Sequence, residues 1–203
     1  MTARNLFIAG VAVVAIATGL WFSLQLAKPP PATQSATVFP EPGELPEFSL
    51  LDQNGNAIDR SVFDGQWNLL YFGYTNCPDI CPLTLQELAK VRKQLIAAGK
   101  EAPRIVFVSV DPERDTPDVV AKYVAYFGDG NLGITGDLDE IRKFAKGLGI
   151  FFAKGREEGG IYSVDHSSVV LVVDPQGRLR ALFSAPHKAD DYLHDLPIIM
   201  AQR

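Results

Sequence analysis

The sequence predicts an α/β domain built on a central sheet with flanking helices. Short apolar runs alternate with segments of helical periodicity, a hairpin pattern follows near the C-terminus, and an amphipathic segment ends the chain. The chain has 203 residues, 47% of them hydrophobic, which suffices for one domain with a sizeable core. We place this domain at 48–203.

The first half of the domain is predicted to contain a hairpin, a buried strand and a helix. Asn54-Gly55 suits the positive φ angles of a tight turn between strands at 48–51 and 57–58. The apolar and aromatic run 67–74 is typical of a buried strand. A helix is predicted at 82 to about 98, because Pro82 suits a first helical turn and apolar residues follow at helical spacing.

The second half continues the alternation. Asp115-Thr116-Pro117 and Asp137 are typical of helix starts, and Asp174-Pro175-Gln176-Gly177 is typical of a hairpin turn. The elements predicted here are a strand at 105–110, a helix ending near 127, a helix at 138–146, strands at 169–173 and 179–183, and a short helix from Asp190. This order of strands and helices is the thioredoxin-like pattern.

Two segments precede the domain. After a short tail at 1–5, residues 6–27 carry no charge, and 22 such residues match the ~20 that cross a bilayer as a helix. We interpret 6–27 as a transmembrane anchor; a cleaved signal peptide is the alternative, although its apolar region is usually shorter. Arg4 and Lys28 flank the segment evenly, so charge does not set its orientation. Residues 28–47, rich in proline and small polar residues, are predicted to be an extended spacer.

Charge and cysteine content limit the classes of function. The formal net charge is -5, and an acidic chain is a poor partner for nucleic acid. Two cysteines are too few for a disulfide scaffold. Cys77 and Cys81, in CPDICP, lie between a predicted strand and a helix N-terminus, where thiolate is favoured over thiol. This placement indicates a metal or redox site; an inert disulfide is the alternative, but so small a loop would stabilise little.

Four segments occur in an order that resembles the Sco/SenC family: YFGYTNCPDICP, SVDPERDTP, ITGDLDEIRKFAKGLGIFF and YSVDHSSVVLVVDP. The resemblance runs from about Phe48 to the end of the chain. It implies a membrane-anchored, thioredoxin-like copper chaperone for the dinuclear copper centre of cytochrome c oxidase. By position it assigns Cys77 and Cys81 as copper ligands that also form a redox-active disulfide, and His166 as the third ligand.

The chemistry of these donors agrees with one copper ion per chain. Thiolates suit Cu(I), and imidazole suits either Cu(I) or Cu(II). His166 lies just before the predicted strand 169–173, where thioredoxins carry a cis-proline. His187 and His194 lie in a polar stretch and are interpreted as solvated residues rather than ligands.

Asp79 and Asp111 lie at the same predicted edge of the sheet as the thiols, so they are candidates for tuning the site or facing a partner. The alternatives are that Asp79 caps or solvates the helix start and that Asp111 belongs to a turn. Asn76 departs from the family pattern, which often has histidine there, so control of the redox behaviour does not carry over.

These observations predict a metallochaperone rather than an enzyme. The alternatives are a thiol-disulfide oxidoreductase that keeps the copper-ligand cysteines of the oxidase reduced, and a copper or redox sensor. The resemblance implies the copper-bearing subunit of cytochrome c oxidase as partner, alongside other copper or thiol-redox proteins. It also implies the bacterial inner membrane, with the domain on the periplasmic side, or the mitochondrial inner membrane.

Overall fold

The structure is a computed structural model that describes residues 3–26, 32–157 and 162–201. The chain divides into two compact units, Met1–Ala32 and Thr33–Arg203. The first unit contains helix α1, Ala3–Leu26. Among the described residues, no helix combines the length and the apolar character that crossing a membrane requires. The predicted anchor at 6–27, which falls partly outside the described residues, is therefore not confirmed.

The second unit is a mixed α/β domain. Its elements follow the predicted alternation, with additional short strands. In chain order they are β1 Ala36–Glu44, β2 Leu50–Asp52, β3 Ala57–Ile58, β4 Asn68–Gly73, α2 Ile80–Ala97, β5 Arg104–Ser109, α3 Pro117–Tyr126, β6 Leu132–Thr135, α4 Leu138–Gly147, β7 Phe152–Lys154, β8 Val164–His166, β9 Val169–Val173, β10 Arg178–Ser184 and α5 Ala189–Met200.

Eight strands form the main sheet, in the order β1-β10-β9-β4-β5-β6-β2-β3. β4, β5 and β6 run parallel, while β9 is antiparallel to both β4 and β10. Every residue of β4 is buried, as expected for a strand covered on both faces. The predicted α/β fold with a central sheet is confirmed.

The sheet places two connections at one edge. Gly73 at the end of β4 is paired with Ser109 at the end of β5, so the chain leaves both parallel strands at the same edge. One connection leads through Cys77 into α2, and the other leads through Asp111 into α3. A separate hairpin of β7 and β8 carries His166, which is paired with Phe152.

The interpretation of 28–47 as a spacer is wrong over 36–44. These residues form β1, which pairs with β10 through partners such as Thr37 and Leu182. β1 is an edge strand, where proline is tolerated because one side of the strand needs no hydrogen-bond donors, and its register shifts between Val38 and Gly43. The domain therefore begins before residue 48. Residues 28–31 lie outside the described part of the chain.

Candidate metal centre

The two cysteines lie at the start of α2. This helix begins at Ile80, two residues earlier than predicted, so Cys81 is in its first turn and Cys77 precedes it. The Cys81 backbone N–H donates to Cys77 Sγ at 3.4 Å, and both cysteines are free and buried. Strand β4 approaches closely: a Cβ at Gly73 would lie 2.9 Å from Cys81 Sγ. Glycine at that position gives the Cys81 thiol its room.

The two thiols ionise differently. The pKa of Cys77 is lowered to about 5, chiefly because the Cys81 thiol donates a hydrogen bond to it; burial opposes this, and the backbone N–H groups of Asp79 and Cys81 add to it. The pKa of Cys81 is raised, because its proton is engaged by Cys77 and its side chain is buried. At neutral pH, Cys77 is thus the thiolate and Cys81 keeps its proton.

His166, which belongs to β8, lies close to Cys81. Its Nε2 lies 3.4 Å from Cys81 Sγ and 3.4 Å from the hydroxyl of Tyr71, a residue of β4. Its Nδ1 lies 3.0 Å from the carbonyl oxygen of Val164. A carbonyl can only accept, so Nδ1 carries the proton and Nε2 presents its lone pair toward the Cys81 thiol. A hydrogen bond of this kind from the second ring nitrogen is characteristic of metal-binding histidines.

A cavity of about 310 Å³ gives access to this site from the surface. Cys77, Asp79 and His166 are among the residues that line it, and Asp79 is exposed. Asp79 occupies the N-cap position of α2 but makes no capping hydrogen bond through its side chain. Its position leaves it available to a partner at the mouth of the cavity.

The donors are close together but not yet arranged around one point. Among the described residues, no group of three or more histidine, cysteine, aspartate or glutamate side chains is set as a metal site. Cys77 Sγ nevertheless lies 3.4 Å from the backbone nitrogen of Cys81, and Cys81 Sγ lies 3.4 Å from His166 Nε2. Two sulfurs and one imidazole nitrogen are a donor set that fits copper. Side-chain rotation would be needed to direct all three donors to one ion.

Asp111 does not face a partner, contrary to one of its two predicted roles. It is 3% exposed. Its carboxylate forms an ion pair with Arg114 and accepts a hydrogen bond of 2.7 Å from the Tyr162 hydroxyl. Asp111 therefore lies beneath the surface, in a network with Arg114 and Tyr162 that the sequence analysis did not predict. The charged run DPERD after a buried strand was the available signal.

The interpretation of His187 as solvated is wrong. Its Nε2 lies 3.0 Å from the carbonyl oxygen of Ser168, and the Tyr192 hydroxyl lies 2.7 Å from its Nδ1. Burial lowers the pKa of His187. His194 is exposed, and its Nδ1 lies 2.7 Å from the carboxylate of Asp195. In the described part of the chain, neither His187 nor His194 makes a hydrogen bond to Cys77 or Cys81.

The fold and this site define a thioredoxin-like α/β protein with a cysteine pair and a histidine at one sheet edge. The SCO1/SenC family model matches residues 40–201. The chain belongs to the SCO1/SenC family.

Two relatives show the extent of the similarity. A Stutzerimonas stutzeri protein named for copper binding is 37% identical over 163 residues, which cover 80% of each chain. The mitochondrial SCO2 homologue of Bos taurus is 39% identical over 146 residues, or 71% of this chain. The match spans 55% of the length of that bovine protein.

Two solved structures resemble the domain. The crystal structure of Arabidopsis thaliana ScoI with copper bound is 34% identical, with a TM-score of 0.74, covering 78% of this chain and 98% of that one. BsSco, described as a member of the Sco family of cytochrome c oxidase assembly proteins with a disulfide switch, is 26% identical. Its TM-score is 0.64, and the match covers 84% of this chain and all of that one.

Proposed function

We propose that this protein is a copper metallochaperone that delivers copper to the dinuclear copper centre of cytochrome c oxidase. The observation that carries the proposal is the meeting of Cys77, Cys81 and His166 at one sheet edge, where Cys81 Sγ lies 3.4 Å from His166 Nε2 and the Cys81 backbone N–H donates to Cys77 Sγ. The copper bound to Arabidopsis ScoI supports the choice of metal. The membership of BsSco in a family of cytochrome c oxidase assembly proteins supports the oxidase as the target.

The residues of the chain divide the work of holding the cargo. Cys77 is already a thiolate and is the first sulfur donor, while Cys81 releases its proton when copper binds. The Val164 carbonyl holds the His166 ring so that Nε2 is free to donate. Transfer proceeds by ligand exchange through the open cavity, as target thiolates replace those of Cys77 and Cys81.

The low pKa of Cys77 favours a second function, thiol-disulfide exchange. In this reaction the Cys77 thiolate attacks a disulfide of the oxidase subunit, and one target sulfur leaves as a thiolate. Cys81 then attacks the mixed disulfide, so that Cys77 and Cys81 become a disulfide and the target gains two thiols. This chemistry does not use the lone pair of His166.

Substitution of His166 separates the two functions. We expect His166→Ala to weaken Cu(I) binding by the reduced full-length chain at least tenfold, because one of three donors is lost, while the rate of disulfide exchange is retained. Competition with a chromophoric Cu(I) chelator measures the affinity, and His194→Gln is a matched histidine control. Unchanged affinity in His166→Ala, or tight binding by the oxidised wild type, would reject the metal site.

We propose, in addition, that the domain is tethered to a membrane and lies outside the cytoplasm. The 22 uncharged residues at 6–27 and the family resemblance support this arrangement. A bacterial inner membrane with a periplasmic domain is the first choice. The mitochondrial name of the bovine homologue supports the mitochondrial inner membrane as the alternative.

A further inference from the structure

The loop that carries Cys77 is tied to Asp115. This aspartate is fully buried, and its carboxylate accepts hydrogen bonds from the Thr75 backbone N–H at 2.9 Å, the Thr75 hydroxyl at 2.5 Å and the Ser109 hydroxyl at 2.6 Å. Thr75 lies two residues before Cys77. Asp115 is thus not a helix cap, as its sequence position suggested, but the anchor of the cysteine loop.

The hairpin of β7 and β8, which carries His166, is attached through Tyr162 to the turn that contains Asp115. The Tyr162 hydroxyl donates to Asp111 at 2.7 Å, and the backbone carbonyl oxygen of Tyr162 accepts from Arg114 Nη1 at 3.2 Å. The Arg114 guanidinium also lies 3.7 Å from the centre of the Tyr162 ring. A second tie joins Lys154 of β7 to Glu113 at 2.9 Å. Tyr162 lies four residues before His166.

The two attachments belong to one hydrogen-bonded body, the residues 109–115 between the end of β5 and α3, which we call the DPERD turn. The Asp115 backbone N–H donates to the Asp111 carbonyl at 2.9 Å. The Ser109 hydroxyl accepts from the Asp111 backbone N–H at 3.1 Å while it donates to Asp115. The turn is also fixed to β4, because the Val110 N–H donates to the Gly73 carbonyl at 2.8 Å.

From this arrangement we infer that Asp111, Arg114 and Asp115 are positioning residues that set the separation between two arms of the copper site. The cysteine arm is the segment 75–81, and the histidine arm is the hairpin of β7 and β8. The inference builds on the proposed copper binding by Cys77, Cys81 and His166. If these residues served only to pack the domain surface, that role would account for the ion pairs. It would not account for the ends of the two networks, which lie at Thr75, close to Cys77 in the chain, and at Tyr162, close to His166. Asp115 acts through Thr75 on the cysteine arm, and Asp111 and Arg114 act through Tyr162 on the histidine arm.

Tyr162→Phe tests the histidine arm. It removes the hydroxyl that bonds Asp111 and keeps the ring against Arg114. We expect the Cu(I) affinity of the reduced full-length chain, measured by chelator competition, to fall roughly three- to tenfold, which corresponds to the loss of one hydrogen bond. In a His166→Ala background the same substitution should have no further effect, because it acts through His166. Tyr126→Phe, at an exposed tyrosine of α3, is the control.

Asp115→Asn tests the cysteine arm. The amide keeps one acceptor oxygen but cannot serve all three donors, so the affinity should fall in both the wild-type and the His166→Ala backgrounds. Asp118→Asn, at an exposed aspartate of α3, is the control. Nitrogen hyperfine coupling in the electron paramagnetic resonance spectrum of the Cu(II) form should change with Tyr162→Phe and persist with Asp115→Asn.

The outcomes separate this inference from the function on which it builds. If His166→Ala leaves the Cu(I) affinity unchanged, the proposed copper site itself fails. If His166→Ala weakens binding but Tyr162→Phe does not, or if Tyr162→Phe acts equally in both backgrounds, the positioning role is wrong. A loss of affinity that only follows the loss of thermal stability, measured on the same samples, also overturns it.

Discussion

Cys77 and Cys81 share one motif but have different chemical roles. Cys77 precedes α2 and receives hydrogen bonds from the Cys81 thiol and from backbone N–H groups, whereas Cys81 lies inside the first turn against β4. The sequence predicted that the helix N-terminus would favour a thiolate. It did not show which cysteine would ionise, because that depends on the hydrogen bond between the two sulfurs.

The low pKa of Cys77 predicts an unusual pH dependence of its alkylation. Iodoacetamide reacts with the thiolate, so we expect the rate at Cys77 to fall as the pH drops through about 5, rather than through the ~8.5 of an ordinary cysteine. Peptide mass mapping of the reduced protein from pH 3.5 to 9 gives the profile. Cys81→Ala removes the main donor and should move the midpoint upward. A wild-type midpoint near 8.5 would contradict the assignment.

At the level of elements, β1 shows why composition misled the spacer prediction. Its prolines and small polar residues resemble a linker, and its pairing partner β10 lies far along the chain. Asp195 in α5 fixes the approach to this strand: its buried carboxylate accepts from the backbone N–H groups of Gln34, Ser35 and Ala36 at 2.8 to 2.9 Å. Contacts between such distant residues leave no local pattern in a sequence.

Removing the Asp195 carboxylate should detach this strand. We expect Asp195→Ala to lower the free energy of unfolding by about 1–3 kcal/mol, because three backbone N–H groups lose the buried carboxylate that accepts from them. Urea denaturation followed by circular dichroism measures the change. Asp190→Asn, at an exposed aspartate in the same helix, should shift the midpoint little. Equal stability of the two variants would show that the attachment contributes little.

The Asp195 carboxylate also predicts how the stability of the protein depends on pH. Burial alone would raise the pKa of Asp195, but the hydrogen bonds from His194 and from the backbone of 34–36 outweigh it, so the pKa is lowered. A lowered pKa means that the contribution to stability is complete above the unfolded value of ~3.9. It is lost as the pH falls through the folded value. The gap in stability between wild type and Asp195→Ala should therefore narrow in acid.

Elements differed in how far the sequence predicted them. The buried strands β4, β5 and β9 have continuous apolar runs, and the start of α4 has a capping aspartate, Asp137, that accepts from two backbone N–H groups. β6, β7 and β8 have only three or four residues each, too few for a period to show. Tertiary pairing decides such short strands. β8 matters most, because it carries His166.

For the whole molecule, the order of elements and the four motif segments predicted the fold and the family. The motifs also selected Cys77, Cys81 and His166, three residues that the structure brings together. They did not reveal that the DPERD turn is tied to both arms of the site. Asp115 was assigned to a helix start because local capping patterns are visible in a sequence, whereas its bonds to Thr75 span 40 residues.

The division into two units allows the membrane prediction to be tested on the intact chain. If 6–27 crosses a bilayer, the full-length protein should stay in the membrane pellet during carbonate extraction at high pH, because burial of an apolar helix does not depend on charge. A chain that starts at Thr33, the first residue of the second unit, should be released. A reporter enzyme that needs disulfide bonds, fused after Arg203, should be active, because disulfides persist outside the cytoplasm. Release of the full-length protein would reject the anchor, and retention with an inactive reporter would reverse the orientation.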